Sequence, residues 1–408
     1  MPFYIFVVTL CFNCVFSNIM LEFINRRNSD CYKWDSPQAS ENLPLWVADM
    51  DFKTAPPIIN ALQKRLNHGV FGYQYVPQKY YDSVANWFGR RHKWYDIKSD
   101  NLIYTTGVVP AISAILRSMT KPGDNVATFV PAYNCFFSSI RNLDCNLIGC
   151  NLRCVNNHFE FDWVEFEHKI QNVKVFILCN PHNPTGRVWT KDELSQIAQI
   201  CEKHNVFVIS DEIHCEFVFP GFVYTPYALV AKSDNYCVCT SASKAFNIAG
   251  LQCANIYVPN KRIYSLIEKG INIHEVCDIN PFGMVALMAA YNESENWIDE
   301  LNEHIVGQYT FLCNFINTNI PKLQVTRSEG TYLAWVNMKA YDMSAHDFCE
   351  LFAEHEHVLF NSSEMYGADD YIRINLATSR EILSEALTRL KRFTDNLDNG
   401  IVQLPIPF

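Results

Sequence analysis

Glycine and charged side chains are scarce in this sequence, and it contains no long run of basic residues. Of its 408 residues only 15 are glycine and 19% are charged, and the formal net charge is −10. A dinucleotide-binding fold needs Gly-x-Gly-x-x-Gly after an early strand, and a P-loop ATPase needs Gly-x-x-x-x-Gly-Lys-Ser/Thr. Neither motif occurs, although Asp211-Glu212-x-His214 resembles an ATPase acidic box. The acidic balance also argues against a nucleic-acid partner or an anionic membrane surface.

Paired metal-ligand spacing is missing as well, although the chain has 16 cysteines. Many of them lie inside apolar, strand-like runs, as Cys179, Cys237 and Cys239 do, which is typical of small buried hydrophobes kept reduced in a cytosol. The Cys11-x-x-Cys14 pair and the cysteines between positions 145 and 154 have no second matching pair at zinc spacing. We therefore predict no metal site.

Length and composition predict a soluble enzyme of two or three domains with a large core, because 49% of the residues are apolar. Residues 1–19 form an uncharged apolar extension without the basic start of a signal peptide. About twenty apolar residues can span a bilayer, so a membrane anchor is one interpretation of this extension. We prefer Met20 as the true start of the chain, and we expect a cytoplasmic protein.

Polar residues follow three apolar, strand-like runs in the middle of the chain. Asn183 comes after the run 175–179, Asp211 after the run 206–209, and Lys244 after the run 236–239. Strands alternate here with helical segments, among them 190–204 with Thr190 and Glu193 as a capping box, which predicts a mostly parallel, doubly wound α/β sheet. Ligands of such sheets bind beyond the carboxyl ends of the strands. One pocket could therefore collect all three polar side chains.

A lysine is most often a solvated surface residue, so the neighbouring motifs decide how Lys244 is interpreted. Asn-Pro-x-Asn-Pro-Thr-Gly at 180–186, Ser-Asp-Glu-Ile-His at 210–214 and Ser-x-Ser-Lys at 241–244 follow in this order. This set resembles the fold-type I pyridoxal-phosphate enzymes of the class I/II aminotransferase superfamily. The segments 33–35, 45–52, 68–73, 107–110 and 179–189 resemble its carbon–sulfur β-lyase branch, the cystathionine β-lyase, cystalysin and maltose-regulon modulator type. The similarity runs from about Leu21 to about Asn396.

The resemblance implies roles for the residues of the central pocket. Lys244 would bind pyridoxal 5'-phosphate covalently and then, as a free amine, remove the Cα proton of the substrate. Asp211 would face the pyridine nitrogen as an anion, and Asn183 would donate a hydrogen bond to the phenolic oxygen. Tyr133 would stack on the ring. His214 stands where aminotransferases carry a tyrosine, which favours the lyase branch.

The resemblance also implies how phosphate and substrate are bound. The phosphate would lie at the helix start formed by Gly107, Val108 and Val109, because free backbone N–H groups there attract anions. Further contacts to the cofactor would come from the hydroxyls of Ser241 and Ser243 and from Tyr73 of a neighbouring subunit.

The substrate contacts complete the predicted site. Arg373 would bind the substrate α-carboxylate, Ala48 lies in a loop that borders the substrate, and Asn183 and Tyr73 would also contact it. A structural salt bridge is the alternative interpretation of Arg373. Gln252 stands where aminotransferases place an arginine on the phosphate, so the phosphate would depend more on backbone amides and serines.

These roles predict a homodimer with composite active sites, and a division of the chain into a large and a small domain. The large cofactor domain would span 56–294, and the small α+β domain would use 20–55 and 295–397, with 398–408 as a tail. We predict a cysteine-S-conjugate β-lyase of amino-acid metabolism that cleaves L-cystathionine or related thioethers to a thiol, pyruvate and ammonia. A class I/II aminotransferase is the alternative, and a regulatory binding protein that retains pyridoxal phosphate ranks below it.

Overall fold

The computed structural model describes residues 21–275 and 278–402. The predicted apolar extension 1–19, with Met20, and the last part of the predicted tail lie outside the described residues. Within the described ranges, no helix combines the length and apolarity that a bilayer crossing requires. The cysteines of these ranges form no disulfide with one another.

Short strands and longer helices alternate along the described chain. The strands are β1 (Leu43–Pro44), β2 (Leu102–Thr105), β3 (Asn125–Val130), β4 (Asn146–Asn151), β5 (Arg153–Val155), β6 (His158–Glu160), β7 (Val175–Cys179), β8 (Phe207–Asp211), β9 (Tyr236–Thr240), β10 (Ala254–Tyr257), β11 (Gln324–Val325), β12 (Leu333–Asn337), β13 (Val358–Leu359), β14 (Asn361–Ser362) and β15 (Tyr371–Asn375). The α-helices are α1 (Tyr32–Asp35), α2 (Pro56–His68), α3 (Gln78–His92), α4 (Val108–Met119), α5 (Asn134–Arg141), α6 (Trp163–Ile170), α7 (Lys191–Lys203), α8 (Ala242–Ala245), α9 (Lys261–Asn272), α10 (Pro281–Glu293), α11 (Glu295–Asn319), α12 (Ala345–Glu356) and α13 (Arg380–Asp398).

A seven-stranded sheet forms the centre of the molecule, in the order β2-β10-β9-β8-β7-β3-β4. Strand β10 runs antiparallel to both of its neighbours, and the other pairs are parallel. Every residue of β7, β8 and β9 is buried, which explains why these strands are continuous apolar runs instead of alternating patterns. The predicted doubly wound, mostly parallel α/β fold is confirmed.

Helices cover both faces of this sheet. Along β7, Phe176 and Leu178 pack into one apolar cluster with helices α7 and α10, whereas Val175 and Ile177 pack into another with α4 and α9. The predicted capping box of α7 is present, because Glu193 N donates to Thr190 Oγ1 at 3.2 Å and Thr190 N to a Glu193 oxygen at 2.8 Å. This cap starts α7 directly after the loop that follows β7.

A smaller antiparallel sheet, β11-β12-β15-β14, carries the C-terminal part of the chain together with α11, α12 and α13. The N-terminal segment reaches this part through β1, which pairs in parallel with β13. The N-terminal segment and the C-terminal part of the described chain are thus in contact. The predicted domain boundaries themselves stay a prediction.

Candidate active site

A cavity of about 260 Å³ lies beyond the carboxyl ends of β7, β8 and β9. Its lining brings together most of the residues that the sequence predicted for the site: Ala48, Gly107, Val108, Val109, Tyr133, Asn183, Asp211, His214, Ser243 and Lys244. Asp211 is the last residue of β8, whereas the sequence placed it two positions past the end of the run 206–209. The parallel strands therefore place side chains that are distant in sequence at one edge of the sheet.

The amine of Lys244 is held inside this cavity by a backbone carbonyl. Lys244 lies on the short helix α8, and its Nζ donates to the Ala48 carbonyl oxygen at 2.5 Å. Burial lowers the pKa of this amine, Asp49 and Asp211 oppose the change, and Arg373 adds to it. The site therefore favours a neutral amine more than water does, as a nucleophile or base requires.

Asp211 ends β8 and His214 follows three positions later, and both are buried. Burial raises the pKa of Asp211 to about 7, which is opposed by the hydrogen bond that its Oδ1 accepts from Ile213 N at 3.1 Å. Burial, with the charges of Lys244 and Arg373, lowers the pKa of His214 to about 3. His214 is therefore a neutral imidazole, and its Nδ1 has no hydrogen-bond partner among the described residues.

Asn183 lines the cavity, whereas Arg373 is not among the lining residues and contacts one of them, Asn183. The guanidinium of Arg373 donates through Nη1 to Asn183 Oδ1 at 3.2 Å and through Nη2 to the Trp46 carbonyl at 3.0 Å. Because its oxygen faces the arginine, the Asn183 amide is left with its nitrogen as the end that can donate elsewhere. Arg373 is only 3% exposed, and within the described residues no carboxylate lies within salt-bridge distance of it.

The N-terminus of α4 opens into the same cavity. Its first residues, Val108 and Val109, follow Gly107 at the N-cap, where no side chain caps the helix and no acidic residue occupies the first turn. The free N–H groups and the positive end of the helix dipole therefore face the cavity. Ser243 lines the cavity beside them.

Ser241 is not among the residues that line the cavity, and its contact with the cofactor stays a prediction. Its hydroxyl oxygen accepts from Ser243 N at 3.0 Å and lies 2.7 Å from the Cys253 carbonyl. The hydroxyl thus caps α8 and contacts the carbonyl of the residue before β10. The structure gives Ser241 a supporting place in the turn that carries Lys244.

Tyr133 and Tyr73 occupy contrasting positions. Tyr133 lines the cavity and packs edge-on against Phe136, and burial, with Cys135 next to it, raises its pKa. Tyr73 is 91% exposed and lies outside the cavity of its own chain. Its contact with the cofactor of a neighbouring subunit stays a prediction. Gln252, the noted departure from aminotransferases, also lines the cavity.

Comparison with known proteins identifies the family. The family model for aminotransferase class I and II matches residues 41–390. The chain belongs to this family. The chain has the fold of the fold-type I pyridoxal-phosphate enzymes, as the sequence motifs predicted.

Relatives within the aminotransferase family include carbon–sulfur lyases. The cystathionine beta-lyase PatB of Bacillus subtilis is 32% identical over 90% of this chain and 97% of its own length. The structure of cystalysin from Treponema denticola, which contains a pyridoxal 5'-phosphate cofactor, matches with a TM-score of 0.89 at 33% identity, over 93% of this chain and 99% of cystalysin. A PLP-bound protein from Clostridium difficile 630, assigned to the aminotransferases, matches with a TM-score of 0.88 at 40% identity, over 92% of this chain and 98% of that one.

Several side chains at the site were not found by sequence reasoning. Thr106, Ile213 and Ala249 line the cavity, and Tyr332 donates to the Ala48 carbonyl at 3.0 Å. The first three adjoin predicted site segments, so their closeness to the strand ends could have indicated them. Tyr332 lies 284 positions from Ala48 along the chain, and no local pattern relates the two.

Proposed function

We propose that this protein is a pyridoxal-phosphate-dependent cysteine-S-conjugate β-lyase of the cystathionine β-lyase type. One observation carries the proposal: the amine of Lys244 and the buried carboxylate of Asp211 line one cavity, and the buried guanidinium of Arg373 donates to Asn183, which lines the same cavity. Such a set combines a carbonyl-reactive base, a partner for a ring nitrogen and a carboxylate clamp. The sequence similarity to PatB and cystalysin supports the same reaction.

The donors and acceptors of the cavity fit pyridoxal phosphate. The uncapped start of α4 suits the phosphate, since it offers N–H groups and a positive dipole end. Asp211 suits a protonated ring nitrogen, because a cation facing this buried carboxylate favours its anionic form. The free amide nitrogen of Asn183 suits the phenolic oxygen, and Tyr133 suits the ring face. Bound there, the cofactor supplies the electron sink that makes the substrate Cα–H acidic.

Lys244 is the residue that moves the proton. Once its amine is free, it takes the Cα proton of the bound amino acid, and its lowered pKa keeps a neutral fraction available for this step. Lys244 Nζ lies 2.5 Å from the Ala48 carbonyl oxygen, and this hydrogen bond fixes the position of the free amine. His214 is a neutral imidazole, so the charged groups around the amine of Lys244 are Asp49, Asp211 and Arg373.

Arg373 orients the substrate by its α-carboxylate. A buried charge is normally paired, because an unpaired ion in the protein interior is costly. The guanidinium has only neutral acceptors, Asn183 and the Trp46 carbonyl, among the described residues, and its buried Nε has no partner there. A substrate carboxylate would supply the missing anion, which favours substrate binding over the structural salt bridge as the role of Arg373.

The overall reaction consumes one water. The Cα–H and Cβ–S bonds break, the sulfur leaves as a thiol, and hydrolysis of the remaining three-carbon fragment gives pyruvate and ammonia. An aminotransferase would use the same three residues but would need a 2-oxo acid as amino acceptor. His214 and Gln252 stand where aminotransferases carry tyrosine and arginine, and they favour elimination. A regulatory binding protein would not need the complete set.

The proposed active form is a cytoplasmic homodimer. Tyr73 lies on an exposed segment with Val70, Phe71 and Tyr75, each more than half exposed in the single chain. Exposed apolar patches of this kind often mark interfaces. A second copy that covers this segment would bring Tyr73 toward its neighbour's cavity and complete the site.

One assay separates the lyase from its alternatives. Thiol, pyruvate and ammonia are followed with L-cystathionine alone, and then with an added 2-oxo acid. The lyase releases all three products in equal amounts without the acceptor. Turnover that requires the acceptor and yields a new amino acid would assign the protein as an aminotransferase, and no turnover with cofactor bound would favour the binding protein.

A further inference from the structure

The loop Trp46–Asp49, which lines the cavity through Ala48, is held in place through its carbonyl oxygens. All four carbonyls in succession accept hydrogen bonds from side chains outside the loop. The loop has no helix or strand of its own. These bonds therefore fix its position, together with the bond from Trp46 Nε1 to the Lys33 carbonyl and the ion pair of Asp49 with Arg26. The donors come from remote parts of the sequence, mainly β15, β14 and the residue before β12.

Two of these donors hold the carbonyl of Ala48 and those of its two neighbours. Asn375 bonds to the neighbours, and Tyr332 bonds to Ala48 itself. Asn375 is 1% exposed, and its Nδ2 donates to the carbonyls of both Val47 and Asp49, each at 2.6 Å, while its Oδ1 accepts from Ala377 N. Tyr332 is fully buried, and its hydroxyl donates to the Ala48 carbonyl at 3.0 Å. That same carbonyl accepts from Lys244 Nζ.

The Tyr332 ring has little freedom to move. It packs edge-on against Phe217, with ring centroids 4.8 Å apart, and against His214 at 5.9 Å. A buried phenol needs a hydrogen-bond partner, and here the Ala48 carbonyl is that partner. The carbonyl therefore accepts from the Tyr332 hydroxyl with one lone pair, and its other lone pair is left for the amine of Lys244.

We propose that Tyr332 and Asn375 are positioning residues that fix the Ala48 carbonyl and, through it, the amine of Lys244. Neither residue was assigned to the site by sequence or by family resemblance. The proposal rests on the proposed function, because it concerns the amine that acts as base there. Both residues act through the loop Trp46–Asp49 and need no contact with the substrate.

The arrangement also predicts a direction for the acid–base behaviour of Lys244. A carbonyl that loses the hydroxyl of Tyr332 becomes a stronger acceptor for the amine, and it stabilises the ammonium form more than the neutral form. The other groups that face Lys244 are the carboxylates of Asp49 and Asp211, the guanidinium of Arg373, the thiol of Cys135 and the neutral ring of His214. They remain in place when only the hydroxyl is removed.

The first test compares Tyr332→Phe with Tyr309→Phe. Tyr309 is a matched control, because its hydroxyl also donates to a backbone carbonyl, that of Thr326 at 2.8 Å, and Tyr309 does not line the cavity. We expect Tyr332→Phe to lower kcat of thiol release about tenfold to a hundredfold with KM within about threefold, since small misplacements of a base have effects of this size. Tyr309→Phe should keep the wild-type kcat.

The second readout needs no turnover. In the cofactor-free full chain, reductive methylation of Lys244 is followed by peptide mass spectrometry as a function of pH. Tyr332→Phe should move the midpoint to higher pH, and Tyr309→Phe should not. An unchanged kcat together with an unchanged midpoint in Tyr332→Phe would overturn the role of Tyr332.

Asn375→Asp gives an independent test of the loop. It keeps the shape of the side chain but turns a donor toward two carbonyls into an acceptor, which displaces the loop. Asn101→Asp is the control, because Asn101 Nδ2 likewise donates to two carbonyls, those of Val258 and Pro259. Asn101 lies directly before β2, at the end of this strand that is further from the cavity residue Gly107. When the two variants have equal thermal stability, the loss of kcat in Asn375→Asp should be at least tenfold larger than the loss in Asn101→Asp.

The outcomes separate this inference from the proposed function. Equal losses of kcat and of thermal stability in a variant and its control would reduce Tyr332 and Asn375 to structural residues and overturn the inference. A wild-type protein that releases no thiol would overturn the proposed function, whereas the methylation midpoint of Lys244 would still test the position of its amine.

Discussion

Arg373 offers the sharpest test of how this site selects its substrate. Its guanidinium is buried, donates to Asn183 Oδ1 at 3.2 Å and to the Trp46 carbonyl at 3.0 Å, and has no carboxylate partner among the described residues. Arg373→Lys keeps the positive charge and removes the planar fork that binds a carboxylate through two parallel hydrogen bonds.

The size of the effect follows from the lost hydrogen bond. A hydrogen bond to a charged group contributes about 1.5–3 kcal/mol, and each 1.4 kcal/mol is about a factor of ten. With one of two bonds to the α-carboxylate lost, Arg373→Lys should lower kcat/KM of thiol release by roughly 10- to 100-fold. The change should appear mainly in KM, because the carboxylate is bound equally in the ground state and in the transition state.

A pair of inhibitors without a β leaving group provides the control. L-Alanine carries the α-carboxylate and ethylamine lacks it, and competition in the thiol-release assay gives their inhibition constants. Arg373→Lys should weaken L-alanine by the same factor as kcat/KM and leave ethylamine unchanged. An equal loss for both inhibitors, or a wild-type kcat/KM in Arg373→Lys, would refute the assignment of Arg373 to the carboxylate.

Three further predictions concern the cofactor partner, the assembly and the chain start. Asp211→Asn should lower kcat at least about 100-fold. In cofactor-free protein, unfolding titrations should find Asp211→Asn more stable than wild type at pH 8 and equally stable at pH 4, because the difference develops as the pH rises from about 4 through the raised pKa of about 7. An Asp211→Asn variant no more stable than wild type at pH 8 would argue against a cost of burying the Asp211 carboxylate. Mixed Lys244→Ala and Tyr73→Phe chains should regain activity in hybrid dimers, and a fully active monomer in light scattering would exclude composite sites. A chain that begins at Met20 should be soluble and fully active, and recovery of the native protein from membranes with residues 1–19 attached would contradict this.

Much of the fold was predictable because buried parallel strands leave a strong local signal. The runs that became β7, β8 and β9 are continuous and apolar, since both faces of these strands are covered. Polar residues directly after such runs, such as Asn183 and Lys244, then share the carboxyl edge of the sheet by necessity. The start of α7 was readable from its capping box for a similar local reason.

The loop at Ala48 shows what the sequence could not indicate. Its position depends on Tyr332 and Asn375, which lie 284 and more residues further along the chain. A tyrosine before a strand and an asparagine at the end of another are ordinary residues in isolation, and only the pairing of β12 with β15 brings them beside the loop. The cap that Ser241 forms on the short helix α8 was not predicted either, because a hydroxyl next to the lysine can equally contact a cofactor or cap a helix.

Whether Lys244 holds the cofactor is the central claim, and one measurement tests it most directly. The purified protein, loaded with pyridoxal phosphate, is reduced with borohydride, digested and analysed by peptide mass spectrometry, with Lys244→Ala treated in parallel. The account predicts the reduced cofactor on Lys244 in the wild type, and a folded Lys244→Ala protein that carries none. Label on another lysine, or an unchanged level of label in Lys244→Ala, would contradict it.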